Sequence, residues 1–352
     1  MNPEAMGEFD LIERYFKRPE RAAACADLVK LGIGDDCALL QPRANTQLAI
    51  SSDMLVQGRH FFPDVDPAAL GHKALAVNLS DLAACGAQPI AFTLALALPH
   101  VNEPWLAAFS HGLFALADAH GCELIGGDTT RGPLNLCITI FGEVLVIDSQ
   151  SQALLRSGAQ VGDDIYVSGS LGEARLALEV MRGNLSVSDG DFATLRQRLE
   201  RPTPRVALGL ALRGIATSAI DVSDGLLGDL GHILERSNVG ASLDLEAFYP
   251  MKLVADYAIN AGARAQIDHK NVKIHDPSLS NTLIGYILAG GDDYELAFTA
   301  PAAARAAVQA ASIKATTPVT RIGRIEPTAG LRLVDTNGAL VENRWVSFDH
   351  FA

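Results

Sequence analysis

The hydrophobic positions of the first half of the chain alternate between helical and strand spacing. A short apolar run from Leu48 to Ser51 predicts a strand that ends beside Asp53. Asp66 and Pro67 supply an N-cap and a first-turn proline, so a helix is expected from there to about Ala84. The other elements expected in this half are strands over 89–98, 122–125 and 134–147 and a helix over 103–119.

One polar residue breaks the hydrophobic face of the helix expected before Ala84. Leu70, Ala74, Val77 and Asp81 follow i, i+4, i+7, i+11 spacing and share one face. A carboxylate on an apolar face is costly unless it has a partner. Asp81 is therefore a candidate functional residue.

The second half repeats the alternation after a polar stretch. Residues 148–152 read as a linker, which predicts one domain over 1–150 and another over 151–352. The pattern predicts strands over 164–168, 219–222, 294–299 and 319–325, helices over 173–182 and 205–213, and a helix that starts at Asp224. Residues 252–288 fit no element clearly. The alternation indicates two domains of α/β or α+β class.

Composition narrows the classes of function. The 352 residues are 49% hydrophobic, enough for a buried core, and carry a formal net charge of −13. Such an acidic chain is a poor general binder of nucleic acid. No basic and apolar leader and no membrane-length apolar run is present, and the five cysteines show no CxxC pair. A cytoplasmic protein with reduced thiols is expected, without a zinc site.

Six short acidic segments recur beside Gly, Ser or Thr. They are Gly32–Asp36, Ser51–Asp53, Asn78–Asp81, Gly126–Thr129, Asp221–Gly225 and Gly290–Asp293. Each segment taken alone is also typical of a turn or a helix cap. Together they indicate carboxylates that converge on hard cations, because clustered like charges need a positive partner. The set predicts magnesium bound beside a phosphate-bearing ligand.

The usual nucleotide-binding signatures are absent from the sequence. There is no Gly-Lys dipeptide and hence no P-loop, Cys37 occupies the last position of an incomplete GxGxxG, and the kinase triplets HRD and DFG are missing. The turn at 221–225 stands between a strand and a helix, where backbone N–H groups can approach phosphate oxygens. Acids and metal are therefore expected to replace the P-loop lysine.

Some basic and aromatic residues are candidate ligand contacts. Arg131 and Arg156 follow turns and suit bidentate phosphate binding, although either is also typical of a surface arginine. His60 could contact substrate or simply pack. The residues Trp345, Phe348, His350 and Phe351 form either a pocket wall or part of the core.

The ordered motifs resemble the bacterial thiamine-monophosphate kinase family. Those that carry the resemblance are Gly7–Phe9, Gly32–Asp36, Lys73–Asp81, Gly126–Gly132, Ala219–Leu226 and Asp293–Leu296, and the match runs from about Gly7 to Phe351. The resemblance implies the two-domain fold of the aminoimidazole-ribonucleotide synthetase superfamily, with an N-terminal metal- and ATP-binding α/β domain and a C-terminal α+β domain that completes a cleft. It also implies a homodimer whose N-terminal sheets pair into a barrel.

The same resemblance implies a reaction and residue roles. ATP would phosphorylate thiamine monophosphate directly, giving thiamine diphosphate, the last step in making that cofactor. By position in the motifs, the implied ligands of several Mg²⁺ ions are Asp36, Ser51, Ser52, Asp53, Asp81, Asp128, Asp221 and Asp224. Asp128, Arg156 and Ser223 match ATP-binding positions, and His60, Asp292 and Phe348 match substrate-binding positions. The family more often has Thr at Ser52 and Glu at Asp292.

The expected chemistry needs no dedicated general base, because an acceptor phosphate is already ionised near neutral pH. Two alternatives stay open at this point. One is another ATP-dependent enzyme of the superfamily, such as a purine-pathway or selenophosphate synthetase. The other is a non-catalytic protein that binds divalent metal or nucleotide, although the spacing fits no EF-hand loop.

Overall fold

The computed structural model describes residues 7–18, 27–248, 265–268, 271–274, 277–335 and 337–348. The chain divides into two compact units. Unit 1 comprises Met1–Leu82 and Ala87–Gln152, and unit 2 comprises Ala83–Gly86 and Ala153–Ala352. None of the helices in these described ranges is long and apolar enough to cross a membrane.

Unit 1 is built on a mixed sheet with helices between its strands. Its helices are α1 (Glu8–Tyr15), α2 (Pro67–Ala84, whose last two residues belong to unit 2) and α3 (Glu103–His120). Its strands are β1 (Val29–Leu31), β2 (Leu39–Leu40), β3 (Thr46–Val56), β4 (Gln88–Leu98), β5 (Glu123–Arg131), β6 (Asn135–Ile147) and β7 (Gln150–Ser151). The main sheet has the order β3-β6-β4-β5, in which only β4 and β5 run parallel, while β7 pairs with β6.

All the elements expected in this half are confirmed, but two of the strands are longer than predicted. β3 continues through Ser52 and Asp53 because it stays paired with β6, and β5 continues through Asp128 because it stays paired with β4. Three of the six acidic segments are therefore not loops, since Asp81 stands inside α2. Small residues beside an acid suggested turns. In the structure, strand pairing keeps Asp53 and Asp128 extended, and Asp81 lies within a continuous helix.

α2 and α3 pack closely at two glycines. A Cβ built on Gly112 would lie 1.9 Å from the carbonyl oxygen of Ala68, and one on Gly71 would lie 2.1 Å from that of Phe109. Only glycine permits such an approach of two backbones. At the start of α3, the Asn102 side chain accepts a hydrogen bond from the Trp105 N–H at 3.1 Å. The close contact and the cap fix where these helices lie in unit 1.

The sheet of unit 1 has one buried side and one exposed apolar row. Leu94, Leu96 and Ile138 are buried, whereas Ile50 and Met54 are 60% and 55% exposed. Leu48, Val56, Leu145 and Ile147 are also exposed large apolar side chains. Within this chain, one side of β3 thus presents hydrophobic residues to solvent.

Unit 2 contains a seven-stranded sheet and the remaining helices. Its helices are α4 (Glu173–Met181), α5 (Asp189–Glu200), α6 (Val206–Ala211), α7 (Leu226–Ser237), α8 (Pro277–Ala289) and α9 (Arg305–Lys314). Its strands are β8 (Asp164–Ser168), β9 (Ser218–Val222), β10 (Gly240–Asp244), β11 (Ala265–Asp268), β12 (Asn271–Ile274), β13 (Glu295–Ala300), β14 (Val319–Glu326), β15 (Gly330–Val334) and β16 (Leu340–Val341). The sheet order is β16-β15-β10-β14-β8-β13-β9, and β11 and β12 form a separate antiparallel pair.

The elements expected in unit 2 are confirmed with small shifts at their ends. The helix expected from Asp224 begins at Leu226, and the one expected over 205–213 is shorter. In the unassigned stretch 252–288 the structure places β11, β12 and α8, and the other residues of that stretch lie outside the described ranges. The core of unit 2 joins sheet and helices through fully buried side chains such as Ile165, Leu230 and Ile287.

Candidate active site

The helix-covered side of the unit 1 sheet holds three of the residues expected to bind metal. The Ser51 hydroxyl donates a hydrogen bond to the Asp81 carboxylate, so α2 and β3 meet at these side chains. Asp53 lies two residues along β3 and therefore points to the same side of the sheet as Ser51. Asp81 thus has a polar partner on its otherwise apolar helix face.

The strand register separates two other expected ligands from this group. Ser52 points to the opposite side of β3, where its hydroxyl lies 2.5 Å from that of Thr139. Asp128 pairs with Ala95, which the register aligns with Cys137 and Met54 on the exposed side of the sheet. Asp36 is exposed between β1 and β2. Unit 1 therefore places Ser51, Asp53 and Asp81 on one side of its sheet, with Ser51 and Asp81 in contact, and Ser52 and Asp128 on the other side.

His60 and Arg131 are held by contacts to the main chain. The Nδ1 atom of His60 accepts a hydrogen bond from the Val56 N–H at 3.0 Å. The Arg131 Nε donates to the Pro99 carbonyl at 3.2 Å. Both side chains are thereby oriented by the backbone at the ends of strands.

In unit 2 the acidic turn after β9 is closed tightly against α7. Asp221 is buried near the end of β9, and Ser223 and Asp224 are half-buried in the turn that follows. Gly225, the residue before α7, has φ 119°, a conformation that side-chain-bearing residues rarely adopt. The glycine lets the chain turn directly from Asp224 into the helix.

A carboxylate inside α7 accepts the N–H groups of this turn. One oxygen of Asp229, Oδ2, accepts hydrogen bonds from the backbone N–H groups of Ser223, Asp224 and Gly225 at 3.0, 3.1 and 3.1 Å. The expectation that these N–H groups approach phosphate is wrong for the structure as it stands, because Asp229 already occupies them. Burial, and secondarily the charge of Asp224, raises the pKa of Asp229 to about 7.

The loop before β13 is joined to the same turn. The Asp292 N–H donates to the Ser223 carbonyl at 2.8 Å, and the Tyr294 N–H donates to that of Val222 at 2.9 Å. Asp292 and Tyr294 have φ of 60° and 52°, and the Tyr294 hydroxyl donates to the Asp292 carboxylate at 3.2 Å. The expected substrate residue Asp292 is thus fixed beside the expected ATP residue Ser223.

The last described residues, 345–348, which we name the C-terminal segment, attach to the turn from the other side. The Phe348 N–H donates to the Asp224 carbonyl at 3.0 Å, and the Ser347 hydroxyl accepts the Gly228 N–H at 2.9 Å. Trp345 covers Gly285 of α8 so closely that an added Cβ would lie 2.6 Å from its indole nitrogen. Unit 2 therefore brings together Ser223, Asp224, Asp292 and Phe348, which the sequence placed in three separate motifs.

Buried ion pairs and hydrogen bonds at Asp293 and Glu295 hold the Asp292 loop in place. The Glu295 carboxylate is 1% exposed and is bonded by Arg198 and Arg205, and the Ser168 hydroxyl donates to it at 2.6 Å. Both oxygens of the neighbouring Asp293 accept the Gly172 N–H, at 2.9 and 3.0 Å. Burial raises the pKa of Asp293 well above its usual range. These contacts tie the loop to β8, α4 and α5.

The donor set of unit 1 fits a hard cation. Across the described residues, no three His, Cys, Asp or Glu side chains are grouped so as to hold a metal. Mg²⁺ in phosphoryl-transfer sites, however, is bound by one or two carboxylates together with water and substrate phosphates. The hydroxyl of Ser51 and the carboxylates of Asp53 and Asp81 are donors of that kind.

Family models and relatives agree on what this chain is similar to. Residues 34–144 match the N-terminal domain of AIR synthase related proteins, and residues 160–336 match the C-terminal domain. The thiamine-monophosphate kinase of Salmonella typhimurium is 46% identical over 99% of both chains, and that of Escherichia coli K12 is 44% identical over 99% of both. The chain belongs to the thiamine-monophosphate kinase family.

Solved structures of this kinase family share the fold. The crystal structure of the kinase from Stenotrophomonas maltophilia is 46% identical, covers 90% of this chain and 93% of its own, and has a TM-score of 0.76. A structure of AaThiL with AMPPCP and TMP is 27% identical, covers 88% and 89%, and has a TM-score of 0.70. The two-domain fold implied by the resemblance is confirmed.

Sequence reasoning missed two residues that shape the candidate kinase site. Asp229 accepts the backbone N–H of Asp224, and Ser347 accepts that of Gly228 in the first turn of α7. Asp293 stood in one of the six acidic segments, but its contact with the Gly172 N–H was not expected. A signal existed for Asp229, because an acid in the first turn of a helix often faces backbone N–H groups. Ser347 had none, since its partner Gly228 is 119 positions away.

Proposed function

We propose that this chain transfers the γ-phosphoryl group of ATP to thiamine monophosphate, forming ADP and thiamine diphosphate. The observation that carries the proposal is the 46% identity to a thiamine-monophosphate kinase over 99% of both chains. Identity at that level across both domains favours this kinase over a purine-pathway or selenophosphate synthetase. It also favours an enzyme over a binding protein without catalytic activity.

ATP is the co-substrate in this proposal. The similar AaThiL structure contains AMPPCP, an ATP analogue, together with TMP. We assign Asp128, Arg156 and Ser223 to ATP and His60, Asp292 and Phe348 to thiamine monophosphate. The hydrogen bonds that connect Ser223 with Asp292 and Asp224 with Phe348 support these assignments within unit 2.

Magnesium is the proposed metal. Several Mg²⁺ ions are assigned to Ser51, Asp53 and Asp81 on the helix-covered side of the unit 1 sheet, to Ser52 and Asp128 on its other side, to Asp36 between β1 and β2, and to Asp221 and Asp224 in unit 2. When bound, the metal neutralises phosphate charge and orients the phosphoryl group for in-line transfer. The contact between Ser51 and Asp81, and the fixed backbone on both sides of Asp224, support the assignment.

The chain's own residues act by position and charge. Phosphoryl transfer between two phosphates needs little covalent help from a protein, so no general base is assigned. Arg156 is assigned to bind a phosphate of ATP, and the loop at Asp292 and the C-terminal segment hold the acceptor. Orienting two bound substrates accounts for a large part of the expected rate increase.

Domain roles, assembly and location complete the proposal. Residues 1–150 serve as the metal- and ATP-binding domain and residues 151–352 as the domain that completes the site. The exposed apolar row on β3 supports a homodimer formed through the unit 1 sheets. We propose a cytoplasmic location, which suits the described cysteines, since no two of them form a disulfide.

A substrate comparison tests the function. ADP release would be measured with ATP and Mg²⁺ in the presence of thiamine monophosphate, thiamine or an aminoimidazole precursor. We expect turnover with thiamine monophosphate alone, and removal of Mg²⁺ by EDTA should abolish it. Absence of ADP release with thiamine monophosphate would rule out the proposed kinase.

A further inference from the structure

The turn that carries Ser223 and Asp224, directly after Asp221 of β9, is organised around one buried carboxyl group. Three consecutive backbone N–H groups, from residues 223 to 225, point at the single oxygen Oδ2 of Asp229. Consecutive N–H groups of this kind form a concave site that commonly binds a phosphate or another anion. Here the acceptor is a side chain of the same chain, and Asp229 is 4% exposed.

The contact between Asp229 and the turn determines which groups of the turn are available to bind ATP. Because all three N–H groups are occupied from the α7 side, they do not donate to a nucleotide phosphate. Each is bonded well within hydrogen-bonding distance, so the turn cannot rotate one of its peptide units without losing a buried bond. The backbone from Ser223 to Gly225 is therefore set by Asp229, and with it the direction in which the Asp224 side chain leaves the backbone.

We propose that Asp229 is a positioning residue for magnesium binding: its carboxyl group fixes the turn so that Asp224 is presented as a metal ligand beside Asp221 of β9, and phosphate contacts this turn through the metal rather than through backbone N–H groups. The inference rests on the proposed function for the identity of the metal and the substrate. It assigns Asp229 no contact with either substrate. Partners that orient a metal ligand typically change metal affinity by about 10- to 100-fold when removed.

Three substitutions of Asp229 in the full-length protein separate geometry from charge. Asp229→Ala removes the acceptor, Asp229→Asn keeps one oxygen that can accept the three N–H groups, and Asp229→Glu keeps the charge but moves the oxygen by about one C–C bond, roughly 1.5 Å. Glu235→Gln is the matched control, because Glu235 is an exposed acid on the same helix. ADP release is measured against free Mg²⁺, and Mn²⁺ binding without substrates is measured by electron paramagnetic resonance.

If Asp229 positions a metal ligand, its variants should change metal binding and leave substrate binding nearly unchanged. Asp229→Ala should raise the half-saturating Mg²⁺ concentration and the Mn²⁺ dissociation constant by about tenfold or more, with the KM for thiamine monophosphate changed less than about twofold. Asp229→Glu should raise both metal constants as well, and Asp229→Asn and Glu235→Gln should stay close to wild type. If Asp229→Ala does not fold, Asp229→Glu and Asp229→Asn provide the same comparison.

Two results would overturn the proposal. One is a lower thermal unfolding midpoint in folded Asp229→Ala or Asp229→Glu with unchanged metal constants, which a merely structural role predicts. The other is an Asp229→Asn variant as impaired in metal binding as Asp229→Ala. Failure of the proposed function is distinguishable, because wild-type protein would then release no ADP with thiamine monophosphate while the Mn²⁺ titrations still report on Asp229.

Discussion

At the scale of single residues, Asp224 is a proposed metal ligand whose backbone is hydrogen-bonded on both sides although it lies in a turn. Its N–H donates to Asp229, and its carbonyl accepts the N–H of Phe348. With both flanking peptide units fixed, the side chain leaves the backbone in one direction. A ligand held in this way loses little entropy when a cation binds, which suits a residue that must orient charge around a phosphoryl group.

Replacement of this carboxylate tests the metal assignment. Asp224→Asn keeps the size of the side chain but removes its charge, so we expect turnover to fall by about 100-fold or more, the scale seen when one preorganised electrostatic partner is lost. Far-UV circular dichroism should stay unchanged. The exposed Glu235→Gln on the adjacent helix should turn over like wild type. Wild-type turnover in Asp224→Asn would contradict its role as a ligand.

Glu295 holds the end of the Asp292 loop in place through buried ion pairs with Arg198 and Arg205. Glu295→Gln would leave the guanidinium groups of Arg198 and Arg205 without their shared carboxylate in a largely buried place. Breaking a buried ion pair from one side costs about 3 kcal/mol of unfolding free energy, whereas a more exposed pair costs less than about 1 kcal/mol. Urea unfolding would measure both values.

Glu13→Gln is the comparison for that measurement. Glu13 of α1 pairs with Lys17, four positions later, and the two side chains are 66% and 43% exposed. An equal loss of unfolding free energy in the two variants would show that the buried ion pairs of Glu295 stabilise the fold no more than an exposed pair does.

The sequence identified ligand candidates better than it identified the residues that hold them. Asp221, Asp224 and Asp292 stand out because acids beside Gly and Ser form short motifs that can be read locally. The role of Asp229 depends on a side chain that reaches back to residues 223–225, and Ser347 acts across 119 positions of sequence. Such contacts follow from the fold, so local patterns do not reveal them.

At the scale of elements, an ion pair joins the start of β8 to the start of α9. The Arg305 guanidinium bonds both oxygens of Asp164, at 2.6 and 2.9 Å. These hydrogen bonds hold the pKa of Asp164 below its usual range, and the charges of Arg305 and Arg321 act in the same direction. The pair therefore stabilises the fold only while Asp164 is ionised.

This pair predicts a pH dependence of stability with a definite sign. Because the pKa of Asp164 is lower in the folded state than in the unfolded state, its contribution is complete above about pH 4 and is lost as the pH falls through the folded value. Asp164→Asn should be less stable than wild type at pH 7, and the gap should close as the pH falls below about 4 and passes through the folded-state pKa of Asp164. Urea unfolding over this range measures it, with Glu342→Gln as an exposed control. A gap that is constant with pH would contradict the assignment.

Element type could be read from the hydrophobic pattern, and element length could not. β3 and β5 extend beyond their apolar cores because β6 and β4 continue to pair with them through Asp53 and Asp128. α5 was missed because only Leu195 and Leu199 mark its buried side, and polar residues fill the rest. Pairing partners and sparse apolar faces are properties of the folded sheet and core rather than of a short window of sequence.

At the scale of the whole molecule, the exposed apolar row on β3 predicts self-association. Ile50→Asp places a charge in that row, so we expect the sedimentation of the 37.3 kDa chain to shift from dimer to monomer. Val161→Asp is the control, because Val161 is 57% exposed in unit 2. A wild-type chain that sediments as a monomer, or an unchanged dimer in Ile50→Asp, would contradict the proposed interface.

The C-terminal segment has a consequence for how the protein is made. The loop of Asp224 comes off the ribosome more than one hundred residues before Phe348, the residue whose N–H closes on it. A chain that lacks residues 347 and 348 therefore loses the two contacts that this segment makes with Asp224 and Gly228. Because the segment is proposed to hold the acceptor, we expect such a chain to keep the helices and strands described for unit 2, which all lie before residue 342, and to lose turnover of thiamine monophosphate.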